Sequence, residues 1–370
     1  MAASNKVADG MVPALTGALR RAKLPRVITP RKRRERTILT GGFEMLNFNK
    51  AVLATAAVAA IAGFSAPVLA QDATEKTVAI TYIVEHPALD AVREGIIESL
   101  AEKGYTEGDN LTVVARSAQG NMTTQTQIAS EFAGLKPDVA VGISTPSAQA
   151  LKNSMGDAPV VFAAVTDPVA AGLVENPEHP EANITGTSDK QPPKPALELI
   201  QSLVPGVKTI GVIYNPGEAN SVVQVDEIKA AAGELGLEVV DSPAAQSTMV
   251  PDAARNLVGK ADAILLPTDN SVISVLEAII TVGERAKLPV FTTDTDSVER
   301  GAVAALGFNY AEMGKVTGDM VAEILAGKAP SEIAVLVPGN QDLFLNMKAA
   351  EAMGITVSDS VKNSAKKVIE

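Results

Sequence analysis

No cysteine occurs anywhere in the chain, so disulfides, thiolate metal sites and cysteine nucleophiles are excluded at once. Tryptophan is absent too, and aromatic residues make up only 3%. Sugar sites usually stack rings on aromatic faces, so this scarcity counts modestly against a sugar ligand. The only two histidines, His86 and His179, are too few for a multi-histidine metal site. Signatures of catalysis are missing as well. There is no G-x-S-x-G elbow, no G-x-x-x-x-G-K-[ST] phosphate loop, no HExxH, and no G-x-G-x-x-G after a strand. The expectation is a chain with no catalytic residues, no metal and no cofactor.

What is present is ample apolar material. Hydrophobic residues make up 46% of 370, enough for two packed domains. Charge is unevenly placed: residues 1–50 carry a net +8 and the remainder about −19, against −11 overall. A body that acidic repels phosphate backbones, so no nucleic-acid partner is expected.

The first seventy residues read as an address. Residues 51–64, AVLATAAVAAIAGF, form an apolar run shorter than the roughly 20 residues a membrane span needs. Lys50 precedes it, and Val68-Leu69-Ala70 supplies the small residues at −3 and −1 that a signal peptidase requires. Residues 45–70, from Met45, are therefore expected to be a signal peptide cleaved near Ala70. Residues 1–44, with RKRRER at 31–36, are an over-extended start or a long basic n-region.

From Thr77 onward, short β-branched runs alternate with amphipathic segments. The strands read TVAITYI, LTVVA, VAVGI and VVFAA, then TIGVIY, EVV, AILL and PVFTT. Strand and helix in rotation imply an α/β fold built on doubly wound parallel sheets. The chain also repeats itself. Residues 77–104 align without gaps on 209–236, placing Tyr82 on Tyr214 and His86 on Glu218. Two further echoes follow, 137–151 on 261–276 and 159–168 on 289–297, so two similar lobes are expected. The first takes 71–190 with 309–338, the second 191–308 with 339–370, and TSDKQPPKPA (187–196) lies at the division.

Ligands of open parallel sheets bind beyond the carboxyl ends of the strands. Six polar clusters stand at such ends: EHPALD, STPS and TDP in the first half, and YNPGEANS, PTDN and TDTD in the second. Asp, Asn, Ser and Thr there are also ordinary helix caps, which accounts for any single cluster alone. A cap needs one such residue, however, and these clusters carry several. The helix starts at Pro146–Ala148 and Ser221–Val223 offer backbone N–H groups to a carboxylate. Asp167, Glu218, Asp269, Asp294 and Asp296 offer charge to an ammonium group. Together they suit a zwitterion such as an amino acid. His179, in ENPEHPEAN, belongs to a solvated turn. His86 either lines the cleft or simply enters a helix.

At these residues the sequence resembles the ABC-transporter substrate-binding proteins of the tryptophan/tyrosine-binding type. The resemblance covers about residues 75–358. It rests on the joint order of HPALD, EKGYTEGDNL, STPSAQAL, VTDPVAAGLV, NITGTSD, YNPGEANS, PTDN, DSVERGAVAALGFNYAEMGKVTGDM and LNMKAAEAMGI. It implies the type I periplasmic-binding fold, two lobes joined by a hinge. It also implies an exported, monomeric periplasmic receptor that closes on a small molecule, an aromatic amino acid being favoured, and delivers it to an ABC permease. Carried over by position, Thr145 and Ser147 hold the ligand carboxylate, with Thr166 and Asp167 at the next strand end. Tyr214, Asn215, Glu218, Asn220 and Ser221 close from the second lobe beside Asp269 and Asn270. Asp294 is the first choice for the ammonium partner, and His86 and Asp90 complete the expected site. Competing readings are a same-fold binder of a nucleoside, sugar or other organic anion, a secreted enzyme, and a ligand-sensing transcription regulator.

Overall fold

Runs of consecutive apolar residues become strands buried on both faces, as parallel sheets under covering helices require. The computed structural model describes residues 75–180, 183–337 and 339–370; the expected signal peptide and cleavage site lie outside them. The first sheet contains β1 (Lys76–Tyr82), β2 (Leu111–Ser117), β3 (Val139–Ile143), β4 (Val160–Ala163) and β5 (Ile184–Gly186). Its order is β2-β1-β3-β4-β5, parallel throughout. Between the strands run α1 (Pro87–Glu102), α2 (Met122–Leu135) and α3 (Thr145–Ser154).

After α4 (Lys194–Leu203) the plan repeats. The strands β6 (Thr209–Tyr214), β7 (Glu238–Pro243), β8 (Ala263–Leu266), β9 (Val290–Asp294) and β10 (Ala304–Phe308) stand in the order β7-β6-β8-β9-β10. That is the order of the first sheet, so the internal echo in sequence is an echo in topology. The helices here are α5 (Ala219–Glu234), α6 (Val250–Leu257), α7 (Asn270–Ile273), α8 (Leu276–Ala286) and α9 (Asp296–Glu299). In each sheet the strand order reverses beside the first strand, between β1 and β3 and between β6 and β8. A crevice forms at such switch points.

The chain then returns to the first lobe as α10 (Tyr310–Leu325) and ends in the second. There β11 (Asp342–Asn346), α11 (Met347–Ala352), α12 (Asp359–Ser364) and β12 (Lys367–Ile369) complete a seven-stranded sheet. One pair departs from the all-parallel expectation: β11 runs antiparallel to β10. The excursion through α10 replaces the crossover helix that would have kept the two strands parallel. Two buried cores result. One joins residues between Val78 and Ile184 to Phe308–Ile333, and the other joins residues between Ala196 and Ala304 to Leu345–Met353. The chain therefore crosses between lobes three times, at 187–193, at Asn309 and at 334–341. Among the described residues no helix is long and apolar enough to cross a membrane.

The return helix is clamped to α1 by glycine. A Cβ on Gly95 would lie 2.4 Å from the Ala311 carbonyl oxygen, and one on Gly314 would lie 2.3 Å from that of Val92. Neither backbone can yield without separating the helices. Gly95→Val should cost about 3 kcal/mol, the upper range for overpacking. A urea midpoint unchanged from wild type would show that this contact is looser than described.

Candidate functional site

All six polar clusters contribute to one narrow cavity between the lobes. The first lobe supplies His86, Ala88 and Leu89 at the start of α1, Ser144 and Thr145 at the start of α3, and Ala164 and Thr166 after β4. The second supplies Asn220 on α5, Thr268, Asp269, Asn270 and Ile273 around α7, and Asp294 at the end of β9. Asp189 and Tyr310 enter from two of the crossings.

Local structure explains how these groups point inward. Pro87 presets the first turn of α1, and His86 stands before it with extended backbone (φ −161°, ψ 158°) and no side-chain cap bond. Its imidazole is therefore released from capping and is buried at the cavity. The backbone is strained at two of the lining residues. Ser144 has φ 77° and Ala164 has φ 52°, left-handed values that a non-glycine residue adopts at a cost of about 1–3 kcal/mol. These kinks end β3 and β4 and turn the chain along the cavity wall.

Three buried carboxylates face the space, each held differently. Asp189 Oδ2 accepts the Tyr310 hydroxyl at 2.7 Å, while Oδ1 has no partner. Asp294 has both oxygens engaged by Ser297, from the backbone N–H at 2.9 Å and the hydroxyl at 2.7 Å. Asp269 caps α7 through Val272 N–H at 2.8 Å, and its other oxygen takes Asn215 N–H at 2.6 Å and the Ser221 hydroxyl at 2.7 Å. Burial raises all three above the ordinary carboxylate range. For Asp269 the neighbouring Glu218 adds to the rise, and for Asp189 the Tyr310 hydroxyl opposes it. His86 is pushed down to about 3, first by burial and then by Arg300, so it is neutral. Among the described residues no lysine or arginine lines the cavity. An enclosed space with three carboxylates and no fixed cation favours a guest carrying positive charge.

The unpaired atoms converge. Among the described residues five buried side-chain atoms lack a hydrogen-bond partner, and four belong to this cavity: His86 Nδ1, Thr145 Oγ1, Asp189 Oδ1 and Asn220 Oδ1. Buried polar atoms are nearly always satisfied, so such a concentration marks groups awaiting a ligand.

Seven of the expected residues line the cavity: His86, Thr145, Thr166, Asn220, Asp269, Asn270 and Asp294. The other seven stand behind or beside it. Ser147 turns away and donates to Gln125 Oε1 at 3.1 Å. Asp90 lies 3.3 Å from Arg93 on α1. Asp167 caps its own loop at Val169 and Ala170 and meets Lys190 at 2.6 Å. Tyr214 packs against the second core. Ser221 and Asn215 brace Asp269. Glu218 accepts from the backbone N–H and side chain of both Asn270 and Ser271, at 2.6–3.1 Å. Glu218 and Asn215 border a wider polar groove outside, shared with Gln119 and Met122 of the first lobe. Sequence reasoning missed Asp189 and Tyr310 as lining residues. Their only signal was membership of the connecting segments TSDKQPPKPA and GFNYAEM.

The lobes meet through direct bonds. Thr166 Oγ1 is 3.3 Å from Thr268 Oγ1, and Gln224 Nε2 donates to Thr166 Oγ1 at 3.5 Å. Lys190 spans Asp167 and Glu227 at 2.6 and 3.2 Å.

Comparison with known proteins agrees with this geometry. The family model described as "ABC transporter substrate binding protein" matches residues 77–369. A tyrosine-binding protein of Clostridioides difficile is 39% identical over 75% of this chain and 81% of its own. A solved ABC domain in complex with L-Trp from Streptococcus pneumonia is 33% identical over 80% of this chain and 100% of its own, with TM-score 0.77. A ligand-free, open substrate-binding protein with adhesive properties from Clostridium difficile is 40% identical over 80% of this chain and 99% of its own, yet its TM-score is 0.61. The chain thus superposes better on the ligand complex than on the open form, although the open form is closer in sequence. Together with the cross-lobe bonds, this describes lobes in the closed arrangement. Distantly similar structures at 13–17% identity share the two-lobed type I periplasmic-binding fold alone.

Proposed function

Because the chain belongs to the ABC transporter substrate-binding proteins, which are not enzymes, we propose that its cavity captures an L-α-amino acid with an aromatic side chain. Asp189 holds the ammonium group through Oδ1, with Asp294 and Asp269 adding to the negative field. The ligand carboxylate faces the start of α3, where Thr145 Oγ1 is unpaired and a helix N-terminus favours negative charge. Leu89 and Ile273, from opposite lobes, give the side chain apolar walls. The observation that carries this reading is the set of four unpaired atoms around a cavity with no cation. The lack of a lining cation disfavours an organic anion.

The mechanism is hinge closure. Ligand contacts the first lobe and the crossings, the second lobe rotates over it, and the Thr166–Thr268–Gln224 seam forms. The protein is exported to the periplasm as a monomer, and the closed form presents the ligand to an ABC permease.

The chain has no tryptophan of its own, so emission from added tryptophan reports the ligand alone. Titrating L-tryptophan and L-tyrosine, with calorimetry alongside, should give saturable one-to-one binding. At a hundred times Kd the ligand should stabilise the protein by about 2.7 kcal/mol. No binding and no thermal shift with either amino acid would remove the proposal.

A further inference from the structure

The α-amino and α-carboxylate groups of an amino acid leave two orphans in the cavity without an assigned role, His86 Nδ1 and Asn220 Oδ1. Asn220 is buried on α5, and its Nδ2 donates to the Thr268 carbonyl at 2.9 Å. The same nitrogen lies 3.4 Å from Glu218 Oε2 and 3.3 Å from Ser221 Oγ. Those contacts fix the amide. Flipping it would set its oxygen against the Thr268 carbonyl and the Glu218 carboxylate. Oδ1 is thus the atom left over, and it has no partner.

This orphan differs in kind from the others. Thr145 Oγ1 can donate or accept, and so can a neutral imidazole. Asp189 Oδ1 belongs to a carboxyl group and suits an ammonium. Asn220 Oδ1 can only accept, and it is neutral. Three carboxylates already surround the cavity and compete far better for a cationic donor. What remains for Asn220 is an uncharged N–H or O–H on the ligand's side chain.

We infer that Asn220 Oδ1 reads a neutral hydrogen-bond donor on the ligand side chain, so that the receptor selects phenol- or indole-bearing amino acids and rejects phenylalanine. The inference rests on the proposal that the cavity holds an aromatic amino acid. Phenylalanine fits the same space but leaves the amide oxygen buried and unpaired. Selectivity arises from that unmade bond rather than from size.

The test is calorimetry with L-tyrosine, L-tryptophan and L-phenylalanine on the wild-type protein and on Asn220→Leu. Wild type should bind phenylalanine about ten- to hundredfold more weakly than tyrosine. In Asn220→Leu, tyrosine and tryptophan should weaken while phenylalanine holds or improves, closing that gap. Loss of the Thr268 bond lowers all three equally, so the ligand-dependent difference isolates the amide oxygen. Equal weakening for all three would overturn the inference and give Asn220 a structural or ammonium-binding role. So would wild-type protein binding phenylalanine as tightly as tyrosine, a comparison that stands even where the variant does not fold. Binding of none of the three to wild type would instead bring down the amino-acid proposal itself.

Discussion

Replacing Asp189 by alanine should weaken aromatic amino-acid binding a hundredfold or more, the largest loss expected from any side chain of the cavity. The carboxylate is buried, one oxygen is fixed by the Tyr310 hydroxyl, and the other is unpaired. It is therefore oriented before ligand arrives and has one open acceptor position. Removing one partner of a buried, hydrogen-bonded charge pair leaves the ligand ammonium uncompensated, at a cost of about 3 kcal/mol. Asp294→Ala should cost less, because both Asp294 oxygens are already engaged by Ser297. Its contribution to an ammonium is a field rather than a contact. A ligand without the amino group, 3-(indol-3-yl)propionate, separates the roles: its weak affinity should be indifferent to Asp189→Ala or improve with it. The assignment fails if Asp189→Ala binds tryptophan within threefold of wild type, or if Asp294→Ala proves the more damaging change.

That Asp189 had to come from the structure while His86, Thr145 and Asp269 were legible in the sequence has a physical reason. Strand ends are readable, because an apolar run stopping at Pro, Gly, Ser or Asp marks both the end of a strand and the side of the sheet where ligands collect. All eight strands read from such runs are present in the fold, and all six clusters at their ends reach the cavity. Asp189 and Tyr310 stand instead on crossings between lobes, where no periodicity operates. TSDKQPP reads as a turn whichever way its aspartate points, and it becomes a wall only because the chain passes three times through the same gap. Short elements escaped for a related reason. Ile184–Gly186 and Lys367–Ile369 are three residues each, too short to show alternation. Within the clusters, sequence marks which residues are present but not which way they face. Thr145 and Ser147 are two positions apart on one helix, so they cannot share a face; one meets the cavity and the other Gln125.

Acid should weaken binding through His86, and the sign follows from its two environments. In an open form the imidazole at the start of α1 is solvated, with an ordinary value near 6.5. In the closed form it is buried beside Arg300 of the second lobe and falls to about 3. Closure therefore requires the neutral ring. Above about pH 6.5 this costs nothing; below it a proton must be released on closing, and affinity drops by up to tenfold per pH unit until about pH 3. Asp189 and Asp294, which face the same cavity, move the other way. Burial raises both, so they tend to take up protons on closing, as does Asp269. Asp90 on the same helix and Glu85 just before it stay nearer solvent. The net slope thus mixes opposite contributions, and a variant is needed to read the histidine alone. Between pH 7.5 and 5.5, His86→Gln should lose about tenfold less tryptophan affinity than wild type. Calorimetry at pH 5.5 in buffers of different ionisation enthalpy should show close to one fewer proton released by the variant. Identical slopes and identical proton counts for the two proteins would mean that His86 is already neutral before the lobes close, and that its burial belongs to the first lobe alone.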